Sequence, residues 1–152
     1  MKKALILVLA GVFVLALGVA TYTLRTPATA EAAPSVPVAA LQPLKPFFLE
    51  TNVKGTKMGL IAAKASDGTY RTTLNTCEVC YPSPRGYYKA DGEWLVCQNC
   101  GSRFRVDDMQ VLRGGCNPVP LTGSKVVDGQ LTFSITELKG KTKYFAVPKS
   151  GS

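Results

Sequence analysis

The chain has 152 residues, 46% of them hydrophobic, with 18 Lys and Arg against 10 Asp and Glu, five Cys and no His. Without histidine a Ser–His–Asp triad is excluded, and so is any imidazole metal ligand. The net charge of +8 is scattered; setting aside Lys2, Lys3 and Arg25 leaves 15 basic against 10 acidic residues.

The N-terminus decides where the rest of the chain works. Met1-Lys2-Lys3 is a short basic start, and Ala4 to Leu24 carries no charge and is rich in Leu, Val and Ala. As a helix, this stretch would span about 31 Å at 1.5 Å per residue, matching a hydrocarbon core of about 30 Å. Ala28-Thr29-Ala30 has the small-x-small form of a cleavage site, so residues 1–24 read either as a signal anchor or as a removed signal peptide. The apolar run is longer than a signal-peptide core of roughly 7–15 residues, which favours the retained anchor. Two lysines before it predict a cytoplasmic N-terminus and an exported remainder. Both readings put the cysteines outside the cytoplasm; a retained anchor makes the chain a single-pass membrane protein whose C-terminal domain faces the periplasm or the outside. In that compartment the basic charge serves solubility, and nucleic acid is not an expected partner.

Residues 25–46 read as a linker. Pro27, Pro34, Pro37, Pro43 and Pro46 stand among alanines, a composition that is extended and semi-rigid. The expected exported domain is 47–149. Near 100 residues a core is possible, but a metal site or disulfides would help considerably.

Within that domain the signals are mostly strand. Met58 to Lys64 and Tyr70 to Leu74 flank an Asp67-Gly68 turn; Tyr87 to Ala90 and Glu93 to Val96 flank Asp91-Gly92; Val126-Val127 and Leu131 to Ile135 flank Asp128-Gly129. Leu131, Phe133 and Ile135 alternate with polar residues, the period of a half-buried strand. A last strand is expected over Thr142 to Val147, and Val106 to Leu112 has room for one helical turn. No window after residue 46 carries a helix pattern of useful length. The expected fold is therefore mainly β, a small zinc-ribbon-like domain of β-hairpins behind one N-terminal transmembrane helix or signal segment.

The hairpins carry the chemistry. Cys77-Glu78-Val79-Cys80 follows the first and Cys97-Gln98-Asn99-Cys100-Gly101 follows the second, with 16 residues between the pairs; 15 more lead to Gly114-Gly115-Cys116-Asn117-Pro118. A two-residue gap lets both thiolates of a pair face one metal ion or cluster, and two such pairs give four sulfur ligands. Gly101, Gly114 and Gly115 permit positive φ and close backbone approach, which turns N–H groups toward sulfur and tunes a bound metal. The prolines after Cys116 stiffen its loop.

Several chemistries fit these residues. Structural zinc and an iron–sulfur cluster both take four thiolates, and spacing alone puts zinc slightly ahead. Disulfides suit an oxidising compartment but leave one thiol over. Thiol exchange is disfavoured, because the C-x-x-C of a thioredoxin-like protein accompanies a βαβ pattern that is missing here. Thiolates also select copper, but Met1, Met58 and Met109 are the only other soft ligands. A four-ligand zinc site leaves Cys116 unexplained. Three functions stay open: an electron-transfer protein rather than a stand-alone enzyme, a zinc-stabilised non-catalytic interaction module on the outer face of the membrane, and a disulfide-stapled or thiol-exchanging domain. Around the cysteines, Tyr81, Tyr87, Tyr88, Trp94 and Phe104 are expected to pack the core. Arg103 and Arg105 belong on a solvated strand face, and Asp107-Asp108 caps a turn.

The run from Cys77 to Leu121 resembles the family of membrane iron–sulfur proteins of the FtrD-like type. The matching elements are Cys77-x-x-Cys80-Tyr81, Gly86-Tyr87, Val96-Cys97-x-x-Cys100-Gly101, Phe104 and Gly114-Gly115-Cys116-Asn117-Pro118-Val119-Pro120-Leu121. The resemblance implies a membrane-tethered, exported redox protein that serves ferrous-iron uptake beside an iron permease and a periplasmic iron- or copper-binding protein. It implies an iron–sulfur cluster on Cys77, Cys80, Cys97 and Cys100, with Cys116 as an extra or substitute ligand. Such a cluster would pass electrons to or from iron as that iron is oxidised for transport.

Overall fold

A computed structural model describes residues 32–151. The expected anchor or signal segment, residues 1–24, lies outside the described residues. Among those described, no helix is long and apolar enough to cross a membrane.

Among the described residues ten strands form three antiparallel sheets, so the small domain is mainly β as expected. The largest sheet has the order β2-β3-β4-β8, from Phe47–Val53 (β2), Thr56–Lys64 (β3), Tyr70–Cys77 (β4) and Pro118–Pro120 (β8). A second has the order β5-β6-β7, from Tyr88–Asp91 (β5), Trp94–Cys97 (β6) and Arg103–Arg105 (β7). The third has the order β1-β10-β9, from Ser35–Pro37 (β1), Lys125–Val127 (β9) and Gln130–Thr132 (β10). All three Asp-Gly turns join neighbouring strands, and Asp128 and Gly129 both take positive φ, as a tight two-residue hairpin turn requires.

Strand β3 divides the interior. Successive side chains of a strand point to opposite faces, and every residue from Met58 to Ala63 is buried. Met58, Leu60 and Ala62 face one apolar cluster together with Leu74, Val119, Leu131, Phe133 and Leu138. Ile61 and Ala63 face the other, which contains Cys77, Cys80, Cys97, Tyr88, Leu95, Val106 and Met109. One cluster is purely a core; the other carries the sulfurs.

Two expectations fail and one is cut short. The linker reading of 25–46 does not hold from Ser35 onward: β1 pairs with β10, and Val36 and Leu41 are buried in the first cluster. Prolines confined to an edge strand leave ladder hydrogen bonds intact, and an Ala/Pro-rich composition hid the two apolar residues that dock. The last strand expected over Thr142 to Val147 is instead a 3₁₀ turn, Thr142–Phe145. Tyr144 and Phe145 are adjacent apolar residues, and a turn sends Phe145 inward beside Leu138, where a strand would send one of the pair outward. Strand β10 ends at Thr132, short of Ile135, because Ile135–Gly140 is a helix (α1). Ser134 caps it by accepting a hydrogen bond from the Glu137 N–H. The single turn expected within Val106 to Leu112 is present as a 3₁₀ turn over Val106–Asp108.

Candidate metal centre

The cysteines sit where strands end. Cys77 closes β4 and Cys97 closes β6; Cys80 and Cys100 lie in the turns that follow, and Cys116 precedes β8. Strand pairing then brings distant loops together. Cys77 stands opposite Pro118 in the β4–β8 ladder, and the Glu78 N–H donates to the Asn117 carbonyl at 2.8 Å. This places Cys116 beside the first C-x-x-C turn. Cys97 stands opposite Tyr88 in the β5–β6 ladder, while the Gln98 N–H donates to the Tyr87 carbonyl and the Cys77 N–H to the Gly86 carbonyl. Residues 86–88 thus hold both turns, and the Ser83 hydroxyl donates to Asn99 Oδ1 at 2.8 Å to link them again. The approach is close: a Cβ on Gly86 would lie 2.0 Å from the Cys80 carbonyl oxygen.

All five cysteines are free, and their sulfurs gather in one place. The sulfurs of Cys77, Cys80 and Cys116 lie within 4.8 Å of one another, and so do those of Cys80, Cys97 and Cys100. Cys80 belongs to both groups; its sulfur is 4.0 Å from that of Cys116. Cys77, Cys80 and Cys97 are buried and Cys100 is exposed, so the cluster of sulfurs reaches solvent at one side.

Backbone donors already face sulfur. The Cys80 N–H donates to Cys77 Sγ at 3.2 Å, and the N–H groups of Cys100 and Asn99 serve Cys97. Burial raises the Cys97 thiol above its ordinary range and pushes Cys80 up to about 12. Cys116 is pushed up to about 12, first by its hydrogen bond with Cys100 and then by burial. Cys100 goes the other way, down to about 6, because the Ser102 hydroxyl and N–H stabilise its thiolate. Burying a thiolate in apolar surroundings is costly without a positive partner. The sulfurs of Cys80, Cys97 and Cys116 therefore lie where a cation would be their natural complement, and that of Cys100 is poised as a thiolate. Asn117, beside Cys116, is buried with no partner for its Nδ2, a polar group awaiting an acceptor.

Gly101, Gly114 and Gly115 all take positive φ, as the sequence suggests. The Gly101 N–H, however, donates to the Cys97 carbonyl at 2.9 Å, so this glycine closes the turn while the N–H groups of its two predecessors face sulfur. Asp107 is bound by the N–H and hydroxyl of Ser66, and it ties two turns together. Arg103 and Arg105 lie over Trp94 and pair with Asp91 and Glu93. Sequence reasoning missed Ser83, Asn99 and Ser102; the positions of Asn99 and Ser102 beside the second pair were the available signal. It also missed the Tyr88 hydroxyl, which donates to the Cys116 carbonyl. A cavity of about 430 Å³, lined by Phe48, Glu50, Asn75, Tyr88 and Lys89 among others, has no cysteine in its wall.

Residues 42–145 match the family described as "Membrane iron-sulfur containing protein FtrD-like". The chain belongs to this family. The FtrD-like assignment covers all five cysteines, the sulfur-bearing cluster, the other apolar cluster apart from Val36 and Leu41, and the three sheets apart from β1. No curated protein matches the chain. Among solved structures, the chain is similar to the quaternary ammonium Rieske monooxygenase CntA, crystallised with an inhibitor, with a TM-score of 0.48 and 16% identity. The alignment covers 70% of this chain and 31% of that one. So distant a likeness says nothing about the activity of this FtrD-like protein.

Proposed function

We propose that this protein is an electron-transfer protein whose cysteine cluster holds an iron–sulfur centre, tethered to the bacterial inner membrane by residues 1–24 with the cysteine-bearing domain in the periplasm. The carrying observation is the convergence of five free cysteine sulfurs, supplied by three separate loops, in a member of a membrane iron–sulfur family. Cys77, Cys80, Cys97 and Cys100 are the proposed ligands, with Cys116 as a fifth. Bound there, an iron–sulfur cluster supplies a one-electron couple.

The chain's own residues do the rest. N–H groups directed at Cys77 and Cys97 stabilise negative charge on sulfur, and hydrogen bonds of this kind help set a cluster's potential. Tyr88, Leu95, Val106 and Met109 exclude water from the inner side. Exposed Cys100 brings the outer side to the surface, where an electron can pass to a partner. The partners proposed are an iron permease and a periplasmic iron- or copper-binding protein, in service of ferrous-iron uptake.

The test uses the full chain purified anaerobically in detergent. Iron with acid-labile sulfide, and visible absorption that bleaches reversibly on reduction, is the expected result. A colourless, redox-silent protein carrying zinc alone would overturn the reading and leave a zinc-stabilised module.

A further inference from the structure

The cavity of about 430 Å³ owes its floor to a gap in the largest sheet. Glu50 on β2 stands opposite Gly59 on β3, and Asn75 on β4 flanks Gly59 from the other side. Residues opposite one another across a ladder project to the same face. This row of three therefore has side chains at both ends and none in the middle. A Cβ at Gly59 would come within 3.0 Å of Asn75 Cβ. Phe48, two residues before Glu50 and 37% exposed, stands on the same face, and β5 supplies a further wall through Tyr88 and Lys89. Small-molecule sites are cavities of this order of size.

The polar groups of the wall are not all paired within the protein. Asn75 is 5% exposed; its Oδ1 accepts from the Tyr88 N–H at 2.8 Å, while its Nδ2 makes no hydrogen bond among the described residues. Leaving such a donor unmatched is costly, and an acceptor in the cavity would remove that cost. Lys89 is exposed and pairs with no carboxylate among the described residues. Glu50, by contrast, is answered by Lys57 at 2.9 Å and remains an acceptor. The wall thus offers two donors, one of them cationic, one acceptor, and an aromatic side chain above a floor of bare backbone.

We infer that this cavity binds an aromatic hydroxy acid, with its ring between Phe48 and the Gly59 floor, its carboxylate on Asn75 Nδ2 and Lys89, and its hydroxyl donating to Glu50. The donor count decides the class. A carboxylate accepts from both an amide and an ammonium, and charge-assisted bonds are the stronger kind. A flat ring suits an aromatic neighbour and a floor stripped of side chains. An organic cation would face Lys89 and leave Asn75 without an acceptor, and a purely apolar guest would leave both donors unmatched. Tyr88 lines the cavity while its hydroxyl reaches the Cys116 carbonyl, so the site lies one side chain from the sulfurs. It goes beyond the electron-transfer reading and does not depend on which metal the cysteines hold.

The probe is para-hydroxybenzoate, titrated calorimetrically into the full chain purified anaerobically in detergent, with detergent alone as the blank. Saturation at one equivalent is expected, with the Asn75 side-chain amide resonance shifting in step. Lys89→Gln, at an exposed position, should weaken binding by about tenfold or more, the worth of one hydrogen bond to a charged group. Gly59→Ala should abolish binding by filling the floor. Para-hydroxybenzyl alcohol, which lacks the carboxylate, should bind at least as poorly as the acid binds to Lys89→Gln. Absence of saturable heat with the unsubstituted chain would overturn the inference, as would an affinity that Lys89→Gln leaves unchanged or equal binding of the alcohol; none of these depends on Gly59→Ala folding. A colourless, zinc-only chain that binds the probe would keep this inference and overturn the electron-transfer reading, and a redox-active cluster in a chain that ignores the probe would do the reverse.

Discussion

The phenol of Tyr88, on β5, donates its hydrogen bond to the carbonyl of Cys116, 28 residues further along the chain. Tyr88 is 1% exposed and stands opposite Cys97 in the ladder, so one side chain connects the second C-x-x-C turn to the fifth cysteine. Tyr88→Phe removes the donor and strands a part-buried carbonyl. The expected cost is about 1–2 kcal/mol, read as a lower thermal midpoint. A stability equal to that of the unsubstituted protein would show that the bond carries no weight.

Because β3 parts the interior into two clusters and all the sulfurs lie on one side, stripping the metal should act on half of the domain. Amides of β5, β6 and β7 should lose hydrogen-exchange protection in chelator, while those of β2 and β3 that face the purely apolar cluster keep theirs. Uniform loss across all the strands would mean that the two clusters unfold as one.

Asp107 gives a pH signature away from the sulfurs. Hydrogen bonds from the Ser66 N–H and hydroxyl hold its carboxyl below the ordinary carboxylate range. The folded state thus binds the proton less readily than the unfolded chain. The stabilisation is full above the unfolded value of about 3.9 and is lost as pH falls through the lower folded value. Exchange at the turn 65–69 should accelerate in that acid window, and Asp107→Asn should remove the acid-dependent part. An acid response that survives the substitution would assign the effect elsewhere, with Asp67, which is lowered by Thr69, the first alternative.

Helix α1 depends on its cap. Ser134 accepts from the Glu137 N–H, while the Glu137 carboxylate accepts from the N–H groups of Thr122 and Gly123. Ser134→Ala should cost about 1 kcal/mol and loosen the 122–123 turn, seen as a fall in thermal midpoint and faster exchange there. Unchanged exchange at Thr122 would show that Glu137 holds the turn without its cap.

How much of this was legible depends on whether the signal was local. Asp67-Gly68, Asp91-Gly92 and Asp128-Gly129 are self-contained turn chemistry, and all three hairpins follow from them. The cysteine spacing likewise announced a shared site. Helix α1 was also written locally, as Ser134-x-x-Glu137, but six residues give too little periodicity to outweigh the alternation that precedes them. Strands β1 and β8 are three residues each and contain proline, so nothing local marks them; their partners on β10 and β4 make them strands. The grouping of sulfurs was hidden for the same reason. Spacing pairs Cys77 with Cys80, whereas the β4–β8 ladder, a long-range pairing, brings in Cys116.

Near the C-terminus, Lys149 donates to the carbonyls of Tyr81 and Ser83, and Ser150 donates through both its N–H and its hydroxyl to the Pro84 carbonyl. Gly151 sits so close to Tyr87 that a Cβ there would lie 2.0 Å from the phenol oxygen. The tail and the turn of Cys80 are therefore not independent variables in evolution. Relatives that keep an aromatic residue at position 87 should keep glycine at 151, and those that gain a side chain at 151 should have shrunk the one at 87. Covariation between the end of the chain and its first ligand turn would be inherited from this single point of crowding.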